Sequence, residues 1–289
     1  MKRILFVTLL TACAAAQAQL FDLGKALDIG RKVVSSDAFK EFTPEQEIAL
    51  GEGLTAGFLG ASHLHPDANL QRYVNRVGKW LALHSDRPDL PWTFAVIDTD
   101  TINAFAMPGG DVIVSSGLLK RLSSESELAG VLGHEIAHVV KKHQLQAIQS
   151  AARGDLAATL GKDLAADRFA RQGGGYAAQE LKNWGASMAA DLIKNGVLLR
   201  PLDRSMEYEA DQLGVLIATR SGYDPYGLVS ALQMLAQYKG GADAASLLST
   251  HPPAGDRIGQ LEQFLPTVER YSSQPQLEGR YRHVLEAAK

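Results

Sequence analysis

A chain of 289 residues, 46% hydrophobic and 21% charged, is long enough to bury one sizeable core. Its formal net charge is −3 and it carries no basic stripe interleaved with aromatics, which excludes nucleic acid as an expected partner. Its single cysteine, Cys13, excludes an internal disulfide.

In chain order, Lys2-Arg3, the apolar run 4–16 and the small-residue site Ala16-Gln17-Ala18 read as a secretory signal peptide over residues 1–18, so the chain is expected to be periplasmic. Leu10-Thr11-Ala12-Cys13 offers a second route, a lipobox whose acylated Cys13 would anchor an outer-membrane lipoprotein. The A-x-A site is the stronger signal, because only about a dozen residues precede Cys13. Past the leader no apolar run approaches the roughly 20 residues that span a bilayer, which leaves peripheral association as the membrane contact to expect. Residues 19–42 read as a short amphipathic helix and linker.

Thr43, Pro44 and Gln46 supply an N-cap, an N1 proline and a capping-box partner, opening a helix into Leu50 and Leu54. A second helix starts at Pro66-Asp67 and carries Leu70, Val74, Val77 and Leu81 on one face. Trp92 to Ile97 and Asp111 to Ser115 are rich in β-formers and read as strands, with Pro108-Gly109-Gly110 as a turn. Ser124 and Glu127 then form a capping box before Leu128, Val131, Leu132, Ile136, Val139 and Val140, an apolar helical face followed by the cations Lys141, Lys142 and His143. Residues 145–200 are Ala-rich and helical, broken by Gly173-Gly174-Gly175; they read either as a mobile lid over a cleft or as a plain surface hairpin. A helix from Arg204 ends near Gly222, another runs from Asp224-Pro225 through Leu228, Leu232 and Leu235 to Gly240-Gly241, and residues 266–289 read as a polar tail with a final helix. The class is α+β and mainly helical, with a small sheet beside the helix that begins at Ser124.

That helix contains His134-Glu135-Ile136-Ala137-His138. Positions four apart share a helix face, so both imidazoles can grip one Zn²⁺ while Glu135 projects beside it as a general base. About seventy residues on, Glu207 and Asp211 share a face of their own helix: Glu207 can complete a His₂Glu ligand set, and Asp211 can accept the free ring N–H of a ligand histidine. Glu209 points nearly opposite to Glu207. His143, five residues past His138, stands about 140° around a continuous helix and is a poor ligand candidate. His63, His65 and His84 read as surface residues. No phosphate-binding glycine loop and no Gly-x-Ser-x-Gly elbow occurs. Strands next to a metal helix also offer a sheet edge to which an extended peptide can add.

The ordered set of H-E-I-A-H at 134–138, E-x-x-A-D at 207–211, Asn103-Ala104-Phe105-Ala106-Met107-Pro108-Gly109-Gly110, Thr250-His251-Pro252-Pro253 with Arg257-Ile258, and Thr43-Pro44-Glu45-Gln46-Glu47 resembles the zinc metalloendopeptidase family that includes the CAAX prenyl endopeptidases, the HtpX heat-shock proteases and the periplasmic BepA-type enzymes. The resemblance implies a zincin-like metalloprotease core over residues 43–265, with one Zn²⁺ on His134, His138 and Glu207, Glu135 as base, and Asn103, Ala104, Phe105 and Ala106 along the substrate. It implies that His251 stands near the metal, as a fourth ligand that keeps the enzyme latent or as a stabiliser of the transition state, with Arg257 assisting the same oxyanion. It further implies polypeptide substrates, among them misfolded envelope or outer-membrane proteins, handled in quality control. The alternative is a client-binding assembly factor or chaperone with a latched zinc site. The lack of membrane spans departs from the integral-membrane members, and no helical repeat array of the BepA type is expected after residue 265.

Overall fold

The computed structural model describes residues 42–153, 175–194, 201–237 and 251–288. The expected leader, residues 19–41 of the linker, Gly173-Gly174 and Gly240-Gly241 lie outside these. Helix α1 (Pro44–Gly60) opens with a complete capping box: Thr43 Oγ1 accepts from the Gln46 N–H at 3.3 Å, and Gln46 Oε1 accepts from the Thr43 N–H at 3.0 Å. Helix α2 (Ala68–Leu83) starts at Asp67, whose Oδ1 accepts from the Asn69 and Leu70 N–H groups, and buries Leu70, Val74, Val77 and Leu81.

Strands β1 (Thr93–Ile97), β2 (Ala104–Ala106) and β3 (Asp111–Ser115) form one sheet in the order β1-β3-β2, with β1 parallel and β2 antiparallel to β3. The expected turn between β2 and β3 is a short 3₁₀ turn in which Gly109 has φ +83°; a Cβ there would stand 2.8 Å from the Ile48 Cα, so the turn needs glycine for both conformation and space. Side-chain alternation divides the molecule. Val112, Val114, Phe94, Val96, Ala104 and Ala106 face the main core with α2, while Ile113, Ile97 and Phe105 face a second cluster with Leu50 and Leu54 of α1.

After a single turn, α3 (Ser116–Leu119), comes α4 (Glu125–Val140), which carries the H-E-x-x-H segment. Its expected capping box is half formed: Ser124 accepts from the Glu127 N–H, but the Glu127 carboxylate accepts from Ser123 instead. Helix α4 is buried on nearly every side, because the sheet and α2 cover one flank and α7 (Arg204–Arg220) and α8 (Gly227–Gln237) cover the other. This explains its almost unbroken apolar composition. Of the Ala-rich insertion, α5 (His143–Arg153) and α6 (Gly175–Lys194) are described, and Trp184, Met188 and Leu192 of α6 are buried in the cluster that contains α1. These residues cover the sheet face away from α4; residues 154–174 and 195–200 of the expected lid or hairpin lie outside the described residues.

Helices α9 (Ala254–Phe264) and α10 (Glu278–Ala287) complete the described chain. The expected polar tail has a buried anchor: Tyr281 is 2% exposed and its hydroxyl donates to the Leu119 carbonyl at 2.7 Å. Beside it, Arg280 pairs with the buried Glu125, which also accepts from the Tyr73 and Tyr223 hydroxyls at 2.7 Å each. A carboxylate in the first turn of α4 suits the helix dipole, and α10 thereby pins the start of the site-bearing helix. Tyr281→Phe is expected to lower stability by about 1–3 kcal/mol, since it leaves a buried carbonyl without its donor; urea unfolding with an unchanged midpoint would show the bond to be idle. No helix among the described residues is long and apolar enough to cross a membrane.

Candidate metal centre

The site exists because α4 and α7 touch backbone to backbone. A Cβ built on Gly133 would stand 2.7 Å from the Gly214 carbonyl oxygen, and one on Gly214 would stand 2.7 Å from the His134 nitrogen. Without side chains between the axes, Glu207 and Asp211 on the early turns of α7 reach both histidines of α4. His134 Nε2 and His138 Nε2 lie 3.0 Å apart, Glu207 Oε2 lies 3.7 Å from the first, and Glu207 Oε1 lies 3.7 Å from the second. His251, just before α9, brings Nδ1 to 2.6 Å from Glu207 Oε2, and one donor atom from each of the four residues falls within 4.8 Å of the others.

These residues fit a zinc ion. Glu207 is fully buried, and its Oε1 has no hydrogen-bond partner, a costly arrangement for an acceptor taken out of water. Two imidazoles and a carboxylate are a donor set suited to Zn²⁺, and metal–ligand bonds near 2.0–2.1 Å in a tetrahedron separate the donors by about 3.3 Å. The observed 3.0 and 3.7 Å bracket that value. Burial, and then the neighbouring His134, push the His138 ring well below its usual range, so it is held neutral, as a metal ligand must be. Burial alone would raise the Glu207 carboxyl, but the hydrogen bond to His251 and the surrounding cationic groups hold it below the usual range.

Asp211 Oδ1 sits 2.9 Å from His134 Nδ1, on the ring edge opposite the cluster. Asp211 is itself gripped by Arg257 of α9, whose Nε and Nη2 donate to its two oxygens at 2.9 and 2.5 Å. Burial raises the Asp211 carboxyl, yet the Arg257 guanidinium outweighs it and holds the group well below the carboxylate range. Arg257 is 4% exposed and two of its nitrogens are committed to Asp211, with Nη2 also 3.2 Å from His134 Nδ1. Glu135 lines a small cavity of about 30 Å³ together with His134, His251, Arg257 and Ala104, a volume that accommodates water. Its carboxyl is raised, first by burial, against the opposing pull of His134 and His251.

Among the sequence-derived candidates, Ala104 reaches this cavity from β2. Asn103 immediately precedes β2 and its Oδ1 accepts from the Ala104 N–H at 2.9 Å, while Phe105 within β2 turns to the other sheet face, against Phe58. Ala106 shares the Ala104 face. Glu209 is outside the cluster, half-exposed and paired with Lys141 at 2.7 Å. His63, His65 and His84 take no part in it; His65 Nδ1 accepts from the Asp67 N–H at 3.2 Å, and His84 Nδ1 lies 2.8 Å from the Trp80 carbonyl. Sequence reasoning missed one neighbour: His143 Nδ1 lies 2.9 Å from His138 Nδ1.

Residues 68–265 match the family described as Peptidase family M48. The chain is 30% identical over 235 residues to the beta-barrel assembly-enhancing protease of Escherichia coli strain K12, covering 78% of this chain and 46% of that protein. It is 32% identical over 255 residues to the putative beta-barrel assembly-enhancing protease of Vibrio cholerae, covering 87% and 50% respectively. It is 30% identical over 239 residues to the mitochondrial metalloendopeptidase OMA1 of Schizosaccharomyces pombe, covering 82% and 62%. The chain thus spans about half the length of the bacterial relatives and somewhat more of the mitochondrial one. With a match that extends from α2 through the H-E-x-x-H helix to the end of α9, this chain belongs to peptidase family M48.

Proposed function

We propose that this chain is a zinc-dependent endopeptidase of the bacterial cell envelope, acting in protein quality control on misfolded envelope or outer-membrane polypeptides. The observation that carries the reading is the orphaned, buried Glu207 Oε1, 3.7 Å from His138 Nε2, with the raised carboxyl of Glu135 in the adjoining cavity. The names of the bacterial relatives, beta-barrel assembly-enhancing proteases, support the cellular setting, and the leader read at residues 1–18 supports a periplasmic location, with lipidation at Cys13 as the alternative.

His134, His138 and Glu207 would hold the ion, which when bound supplies a Lewis acid and acidifies water at the site. Glu135 takes a proton from the attacking water and returns it to the departing amine; a carboxyl raised by burial is better matched to both transfers than an ordinary one. Asp211 holds the His134 ring by its Nδ1 edge and Arg257 holds Asp211, a positioning task beside the oxyanion role that the resemblance implies for Arg257. His251 donates toward the developing oxyanion. Flanking β2, residues 103 and 107 spend backbone groups on β3 and its ends, which turns the Ala104 carbonyl and the Ala106 amide away from β3, toward a substrate strand. Wild-type protein is expected to bind one zinc per chain and Glu207→Ala to lose most of it; equal zinc content by metal analysis would remove Glu207 from the ligand set.

A second reading, a client-binding assembly factor with a latched site, is favoured by one observation: His251 stands close enough to the other three donors to serve as a fourth ligand. Casein digestion separates the two. His251→Ala loses activity if the histidine serves the transition state, and gains activity if it closes the site.

A further inference from the structure

We propose that His143 and Glu209 are positioning residues that fix the tautomer of His138, leaving its Nε2 bare toward the metal; the inference rests on reading His138 as a ligand. Helix α4 does not continue to His143. It ends at Val140, Lys142 adopts the left-handed conformation with φ +58°, and the chain folds back so that the His143 ring lies beneath His138, centroids 5.0 Å apart and planes 73° apart. The facing Nδ1 atoms are 2.9 Å apart, so one of them carries the hydrogen and the other accepts it. The opposite edge of His143 decides which. Its Nε2 lies 3.4 Å from Glu209 Oε2, and an ionised carboxylate only accepts. Lys141 Nζ, 2.7 Å from Glu209 Oε1, holds that carboxylate in place.

His143 is 1% exposed, and burial favours the neutral ring with a single N–H. With that hydrogen on Nε2 toward Glu209, His143 Nδ1 is an acceptor. His138 must then carry its own hydrogen on Nδ1, and its Nε2, the atom 3.0 Å from His134 Nε2 and 3.7 Å from Glu207 Oε1, is left as a lone pair. Asp211 performs the matching task for His134. Each histidine of the pair thus has its own carboxylate behind it, one direct and one through an intervening imidazole.

The test uses full-length protein, wild type, His143→Leu and His143→Gln, with zinc affinity measured by competition against a chromophoric chelator and apo-protein melting recorded in parallel. His143→Leu is expected to bind zinc 10–100-fold more weakly, the range for loss of a group that orients a ligand. His143→Gln, whose carboxamide oxygen accepts from His138 and whose NH₂ donates to Glu209, is expected to stay within a few-fold of wild type. A purely structural residue would lower melting in both variants and leave affinity untouched, and that result overturns the inference. Where His143→Leu does not fold, ¹⁵N NMR of zinc-free wild type decides: a protonated His138 Nδ1 supports the assignment, and a bare one overturns it. Wild-type protein that takes up no zinc defeats the metal reading itself, a failure distinct from equal affinities in wild type and His143→Leu.

Discussion

Glu135→Gln protein is expected to digest casein roughly 10²–10⁴-fold more slowly than wild type, the usual worth of a positioned general base, and still to contain its zinc. The glutamine has the same shape and fills the same place beside His134 and His251, so the cavity it shares with Ala104 keeps its lining. It cannot accept a proton, however, and no other carboxylate shares that lining. Arg257 is already bound to Asp211, and His251 faces Glu207 at 2.6 Å. The separation of zinc content from turnover is the point of the measurement. Loss of both would make Glu135 a prop for the ligands, and retention of turnover would reassign the base.

Much of this site was legible before any coordinates, and the exceptions have physical reasons. The H-E-x-x-H spacing specifies two imidazoles on one face wherever the segment is helical, and α4 is helical throughout it. Helical phase allows only one of Glu207 and Glu209 to be a ligand, the pairing with Asp211 favours Glu207, and the pair diverges accordingly, the first fully buried and the second bonded to Lys141 at the surface. His143 stays outside the ligand cluster, as expected, but the phase argument stops at the end of the helix and gives no sign of its contact with His138. An angle of about 140° assumes an unbroken helix, whereas the left-handed Lys142 restarts the chain in a new direction. A left-handed lysine leaves no composition signal, since the conformation ordinarily favours glycine or asparagine. The tail is read as polar with a final helix; α10 is that helix, and what the reading lacks is its buried Tyr281. Tyr281, Val284, Leu285 and Ala288 meet the core at helical spacing, but in one short, heavily charged helix that period is weak. Arg257 was given its role by resemblance, and only its distances to Asp211 reveal the nearer task.

Gly214 supplies the second large effect, and its sign is the informative part. Replacing glycine by alanine inside a helix ordinarily stabilises by about 1 kcal/mol. At Gly259 in α9, where a new Cβ meets nothing within 4 Å, that gain is expected in full. At Gly214 the new Cβ meets the His134 backbone at 2.7 and 2.9 Å and the Gly133 carbonyl carbon at 3.0 Å, and backbone atoms of a buried helix have nowhere to go. Over-packing of this kind costs typically 1–3 kcal/mol, occasionally more, so Gly214→Ala is expected to destabilise where Gly259→Ala stabilises. Gly214→Val, with two further methyl groups at the contact, is expected at or beyond the upper end of that range. Relief can come only from parting α4 and α7, and that motion carries Glu207 and Asp211 away from His134 and His138, whose donors now lie 2.9–3.7 Å off. Zinc affinity and stability therefore fall together in the Gly214 variants, although no ligand has been changed. Urea unfolding of the zinc-free proteins, paired with chelator competition on the folded ones, measures both; a Gly214→Val protein with wild-type affinity would mean that helix contact does not set the ligand geometry.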